Sequence, residues 1–174
     1  SGDILANGVY GLRYDTAYNG GAGAWILLNP AASIASASTT TAGVIEIATT
    51  AEFRTGTDTA RALGVSETWN AGGEVSLSDG TTIALDLATG INFTVTIGGN
   101  RTLGNPTNPK VGQSGYIRIV QDGSGSRTLA YSSYWKFASG SAPTLTTTAS
   151  AQDFLFYVVY SSTAVFASLV KAVA

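Results

Sequence analysis

The sequence predicts an all-β protein. An antiparallel, jelly-roll-like β-sandwich is expected over residues 73–174, preceded by a β-hairpin unit (1–30) and a thin connecting arm with a short helix (31–72). Three observations carry this expectation. "INFTVTI" (91–97) alternates apolar and polar residues, the period of a strand with one buried face. The other apolar segments after residue 73 are short and separated by turn-rich loops. Finally, charged residues are 11% of the chain, and Ser, Thr, Ala, Asn and 21 glycines take their place, where soluble proteins carry roughly 25% charge.

In "GVYGLRYD" (8–15), Val9, Gly11 and Arg13 alternate with Tyr10, Leu12 and Tyr14. "NGGAGA" (19–24) supplies a turn, because glycine accepts positive φ at little steric cost. "AWILLN" (24–29) then returns as the second strand and is closed by Pro30. Residues 31–48 are small and hydroxylated and show no heptad pattern. Val44–Ala48 reads as a brief strand. In "TTAEFR" (49–54), Thr49 and Glu52 have the spacing of a capping box, with Gly56 as the stop. "GTDTARALGV" (56–65) continues as a further turn or short helix.

Beyond Gly73, "TTIALDLA" (81–88) places Ile83, Leu85 and Leu87 on one face. Residues 98–115 read as a long loop with two prolines. "YIRIVQ" (116–121) and "RTLAY" (127–131) flank "DGSGS" and predict a hairpin. "DFLFYVVY" (153–160) is apolar on both faces and predicts a central strand covered on both sides. "SST" turns it into "AVFASLV" (164–170), a second hairpin whose own two faces are both partly apolar. An edge of that kind invites aggregation unless a partner subunit covers it.

Composition excludes several functions. The chain has no Cys and no His, so it cannot build a Ser-His-Asp triad, a Cys-His pair or a common zinc site from its own residues. A net charge of −2 provides no field for nucleic acid. The longest strongly apolar run, 154–160, is too short to span a bilayer as a helix, and no membrane insertion is expected. "GGNRTLGNPTNPK" (98–110) lacks the Gly-Lys-Ser/Thr ending of a phosphate-binding loop, and no calcium-loop signature is present. No cofactor is called for. The sequence begins at Ser1 without a basic and apolar leader, as expected of a fragment or processed product.

Three stretches carry a family resemblance. "GVYGLRYDTAYNGGAGAWILLNP" (8–30) resembles the unit that often precedes phage fibre tips. "ASTTTAGVIEIATTAEFRTGTDTARAL" (37–63) is similar to a tail-fibre segment with Thr-x-Ala-Gly followed by an apolar-Glu-apolar-Ala-Thr run, then Gly-Thr-Asp and Arg-Ala. "GNRTLGNPTNPKVGQSGYIRIVQDGSGSRTLAYSSYWKF" (99–137) resembles the C-terminal β-domain of phage fibres. The chain is thus similar to receptor-binding tail fibre and spike proteins of tailed phages and gene-transfer-agent-like particles. Gly64-Val65 stands where that pattern often has Pro. The resemblance implies an elongated homotrimer on an extracellular virion. It also implies a distal tip domain that contacts the host and a link to other virion proteins through an N-terminal region preceding this chain.

Within "SRTLAYSSYWKF" (126–137), the residues proposed for ligand binding are Tyr131, Tyr134, Trp135 and Lys136. Rings stack on the apolar faces of sugars while hydroxyls and amides set orientation. The competing reading packs Trp135 and Phe137 into the core and leaves Lys136 solvated. Asp79, Asp86, Asp122 and Asp153 are the carboxylates open to glycosidase chemistry. Each sits beside a turn or strand end where Asp commonly bonds its own backbone, and no β-helix repeat is visible. The expectation is therefore a non-enzymatic adhesin for a host cell-surface polysaccharide. A structural attachment or decoration piece is the alternative, and a polysaccharide depolymerase the third reading.

Overall fold

Alternation along residues 8–29 yields an antiparallel pair, β1 (Leu12–Asp15) and β2 (Ala24–Leu27), with Tyr14 opposite Trp25. Their rings meet edge to face at 5.3 Å, and the turn between the strands runs through Gly20, Gly21 and Gly23 at positive φ. The computed structural model describes residues 12–17, 19–27 and 45–173, in two units divided after Glu46. The outer ends expected for these strands and the arm residues 31–44 lie outside the described residues, as does Val44 of the brief strand. Ile47 of that strand makes a single parallel bridge to Ala62.

The second unit opens with α1 (Thr50–Thr55), capped as its sequence predicts. The Thr49 hydroxyl accepts from the Glu52 N–H, and the Glu52 carboxylate accepts from the Thr49 N–H. Gly56 ends the helix in the left-handed region, donating to the Glu52 carbonyl at 2.8 Å. Of the further turn or short helix expected over 56–65, residues 56–64 form turns and bends, and a second helix, α2 (Val65–Ala71), begins at Val65, after Gly64 and without a side-chain cap.

Nine strands complete the unit: β3 (Glu74–Ser76), β4 (Thr82–Ile83), β5 (Asn92–Ile97), β6 (Arg101–Leu103), β7 (Ser114–Gln121), β8 (Leu129–Tyr131), β9 (Trp135–Lys136), β10 (Gln152–Ser161) and β11 (Ala164–Val170). The architecture is mainly β, but the pairing is not the antiparallel one expected. β3, β5 and β7 pair in parallel in one sheet, and β4, β6 and β8 pair in parallel in another. From β3 to β8 the chain crosses to the opposite sheet after every strand, so it winds as a short parallel coil. Val75, Phe93 and Ile117 stack at one level of the first sheet; Ile83, Leu103 and Tyr131 stack at one level of the second. Where β5 and β7 approach at Gly115, a Cβ would collide with the Ile91 carbonyl. Only glycine permits that spacing.

The winding stops at β10, which runs antiparallel to β7 and forms a hairpin with β11, as "DFLFYVVY-SST-AVFASLV" predicts. β9 then adds in parallel to β11, giving the sheet order β3-β5-β7-β10-β11-β9. Phe93, Val95, Ile97, Ile117, Ile119, Leu155, Tyr157 and Val159 of this sheet form one core with Ile83, Leu85, Leu87, Leu103 and Leu129. Each fully buried aliphatic or aromatic side chain here contributes roughly 1.5–3 kcal/mol.

Three expectations are corrected. Residues 116–121 and 127–131 do not form a hairpin: β7 and β8 belong to different sheets. The reason lies in "QDGSGS". Gln121 is buried, donates to the carbonyls of Arg127 and Thr146, and accepts from the Arg127 N–H. A side chain thereby satisfies backbone groups at the start of the returning segment, and Gly125 turns at φ 67 against the Thr147–Ala149 backbone. Second, the loop 98–115 contains β6, whose three residues are too few to show a period. Third, β10 is covered on one side: Asp153, Leu155, Tyr157 and Val159 are buried, whereas Phe156, Val158 and Tyr160 stand exposed on the other face.

Candidate functional site

The predicted ring cluster is split by the strand geometry. β8 ends at Tyr131, and a two-residue turn follows; the Ser132 N–H donates to the Leu103 carbonyl at 3.0 Å and the Trp135 N–H returns to the Ser132 carbonyl. Trp135 then points inward. It is 5% exposed, and its indole N–H donates to the Gly104 carbonyl at 2.9 Å. In this chain Trp135 therefore serves the core and not a stacking platform. Tyr131 is half-buried, its ring edge-on to Phe137 at 4.7 Å. Its hydroxyl is buried with no hydrogen-bond partner, and burial, followed by the nearby Asp153 charge, pushes its phenol well above the ordinary range.

Tyr134 and Lys136 remain nearer the surface. Tyr134 is half-buried, and Lys136 is exposed, with its Nζ donating to the Ser133 carbonyl at 2.7 Å. Asn105 holds this turn: its Oδ1 accepts from the Tyr134 N–H at 2.9 Å, and its Nδ2 donates to the Ser133 hydroxyl at 3.3 Å.

Asn105 also lines a groove of about 480 Å³ beside the first turn of the coil. Ser78, Asp79, Thr82, Asp86 and Thr107 line it too, with Ala84 and Leu85 supplying apolar wall. The sequence reading missed this site as a site. Its residues come from two stretches, 75–89 and 105–107, that become neighbours because β4 and β6 stack in parallel, with Asp86 bridged to Thr107 below them. No local signal marks such a groove, although the abundance of hydroxyls and amides foreshadows its chemistry.

Its two carboxylates are engaged. Arg101 clasps Asp79 through Nε and Nη2, both at 2.7 Å, and holds that carboxyl below the ordinary carboxylate range. Asp86 Oδ1 accepts from the Ala88 N–H and from Asn108 Nδ2. The other two aspartates lie elsewhere. Asp122 caps the turn at Ser124 and Gly125 and pairs with Arg127. Asp153 is buried and accepts from the N–H groups of Thr146 and Ala172. Among the described residues no cluster of three or more His, Cys, Asp or Glu could hold a metal, and no helix is long and apolar enough to cross a membrane.

No protein-family model matches the chain, and no curated protein or solved structure matches it.

Proposed function

We propose that this chain is a non-enzymatic adhesion module of a phage-like fibre or spike, trimeric on the virion, that binds a host cell-surface polysaccharide. The observation carrying this reading is the groove at Asn105. A concave surface in which amide, hydroxyl and carboxylate groups sit on a larger apolar wall, with Val75, Leu77 and Ala84 in its lining, suits the alternating hydroxyl and C–H faces of a sugar. The low charge of the chain and the three sequence resemblances point the same way. The finer architecture remains an expectation of this reading: two facing sheets in the manner of a sandwich, three copies around one axis. Weak sites repeated three times would gain by avidity wherever glycan spacing permits simultaneous engagement.

Ala84 is exposed on the groove wall, so Ala84→Trp fills the groove without entering the core. The expected result is binding of the wild-type protein to host cells or purified capsule, and at least a tenfold loss in A84W with unchanged thermal stability. Equal binding by the folded variant would remove the groove from the proposal. Absence of wild-type binding, with capsule-free cells still infected, would overturn the adhesin reading. It would favour a structural attachment or decoration role, which the service of Trp135 to the core also suits.

A depolymerase reading has one observation in its favour, since Asp79 and Asp86 line the same groove. A glycosidase pairs a general acid with an ionised carboxylate; Arg101, which keeps Asp79 ionised, suits Asp79 to the second role only and leaves the acid to Asp86. New reducing ends released from capsule by the wild-type protein, and lost in D86N, would establish catalysis instead.

A further inference from the structure

We infer that the outer face of β7, β10 and β11 is the surface by which copies of this chain associate. This rests on the trimer reading above and assigns it a place on the molecule. Phe156, Val158, Tyr160, Phe166 and Val170 lie on this face, each between 43% and 54% exposed. Tyr116 sets its ring against Phe154 at 5.2 Å and Phe156 at 6.2 Å, so the rings form one continuous patch. A shallow groove of about 350 Å³ runs between Tyr116, Phe156 and Phe166, with Ser114 and Ser168 at its sides.

Area argues for a protein occupant. An aromatic side chain presents about 200 Å² in full, so three half-exposed rings leave on the order of 300 Å² bare. The two valines bring the patch to roughly 400 Å², the size of the largest apolar patch on a typical monomer, which is often functional. A standard interface takes about 800 Å² from each partner, roughly 65% of it apolar in homo-oligomers, and this patch supplies most of that share. Phe and Val dominate the patch, and the exposed lining of its groove is predominantly apolar.

The rim presents no obstacle to a second copy. Arg118 lies at the edge of the patch and is already paired with Glu74, through Nε at 2.9 Å and Nη2 at 2.5 Å. Closure would therefore bury no unpaired charge. The demand for cover is also written into the strand, because β10 is apolar on both faces and the described residues cover only one.

The chain contains no cysteine, so a single introduced thiol reports coverage without background. Ser168→Cys places it between Phe166 and Val170 on this face; Ala130→Cys places it at an exposed position of β8 on the other sheet. The full chain is sized by light scattering at about 50 μM, and both thiols are labelled with a maleimide under native and unfolding conditions. An oligomer is expected, with S168C labelled at least tenfold more slowly than A130C when native and equally fast when unfolded. Phe156→Glu is expected to give a folded monomer. If the wild type is an oligomer but S168C labels as fast as A130C, this face is refuted while the trimer reading stands. A monodisperse monomer at 50 μM overturns both. Neither measurement involves a host or glycan, so both leave the adhesin reading to its own test.

Discussion

Trp135→Phe separates the structural role of the ring cluster from a binding role. The indole N–H donates to the buried Gly104 carbonyl at 2.9 Å, and the ring fills the core beside β9 and β11. Phenylalanine keeps one ring and loses both the donor and the second ring. The stranded carbonyl costs about 1 kcal/mol, and the space left by the missing atoms adds roughly 1–2 kcal/mol. A chain of this size loses about 2–4 °C in Tm per kcal/mol, so the melting temperature should fall by about 5–10 °C. Fluorescence provides an internal check. Trp25 and Trp69 are 68% and 80% exposed whereas Trp135 is buried, so the blue-shifted part of the native emission should vanish in W135F. Glycan or host binding by the folded variant should be retained. The reasoning is refuted if W135F melts within about 1 °C of wild type, keeps the blue-shifted emission and loses binding, since that combination requires the ring at the surface.

Two further predictions concern the joints of the coil. Gln121→Leu leaves the carbonyls of Arg127 and Thr146 and the N–H of Arg127 without their side-chain partner; at about 1 kcal/mol or more each, the urea midpoint should drop by the equivalent of at least 3 kcal/mol. Acid should also weaken the fold. Hydrogen bonds from Arg118, Arg101 and Arg127 hold Glu74, Asp79 and Asp122, respectively, below their ordinary carboxylate values. A depressed folded-state value means stability that is complete above the unfolded-state value and lost as pH falls through the folded one. Melting temperature should accordingly be flat down to about pH 5 and decline below about pH 4, with a shallower decline in D79N, which has no carboxylate to titrate there.

What was legible in the sequence was local. The Thr49–Glu52 box, the alternation of 91–97, the inward set Ile83, Leu85 and Leu87 and the β10–β11 hairpin all depend on neighbours along the chain. The coil was not legible because its turns differ in length. Val75 to Phe93 and Phe93 to Ile117 are unequal steps, as are Ile83 to Leu103 and Leu103 to Tyr131, so no fixed period reaches the sequence. The hairpin signal at "DGSGS" misled for a related reason. Strand-turn-strand composition is the same whether the second strand pairs with the first or crosses to the facing sheet, and the buried Gln121 decides between them. The ring cluster was half legible: alternation cannot say which side of a two-residue strand faces the core, and the bond from Trp135 to Gly104 settles it.

The outer face of the six-stranded sheet shows how one alternation supports two surfaces. On β5 the outward residues are Asn92, Thr94 and Thr96; on β10 they are Phe154, Phe156 and Val158, while the inward residues of both strands are buried. The change from hydroxyl and amide to aromatic falls at β7, where Tyr116, Arg118 and Val120 stand between the two halves. A face meant throughout for water has no reason to change character within one strand. At the polar end, β3 and β4 are edge strands of three and two residues, and β3 carries Glu74; short, charged edges discourage pairing with another chain. At the apolar end, the hairpin stops the winding and leaves its outer side bare. Association through the strand edges is thus opposed where the coil begins, and association through side chains is favoured where it ends. The groove at Asn105 lies beside the first turn, among the residues that the aromatic face leaves free.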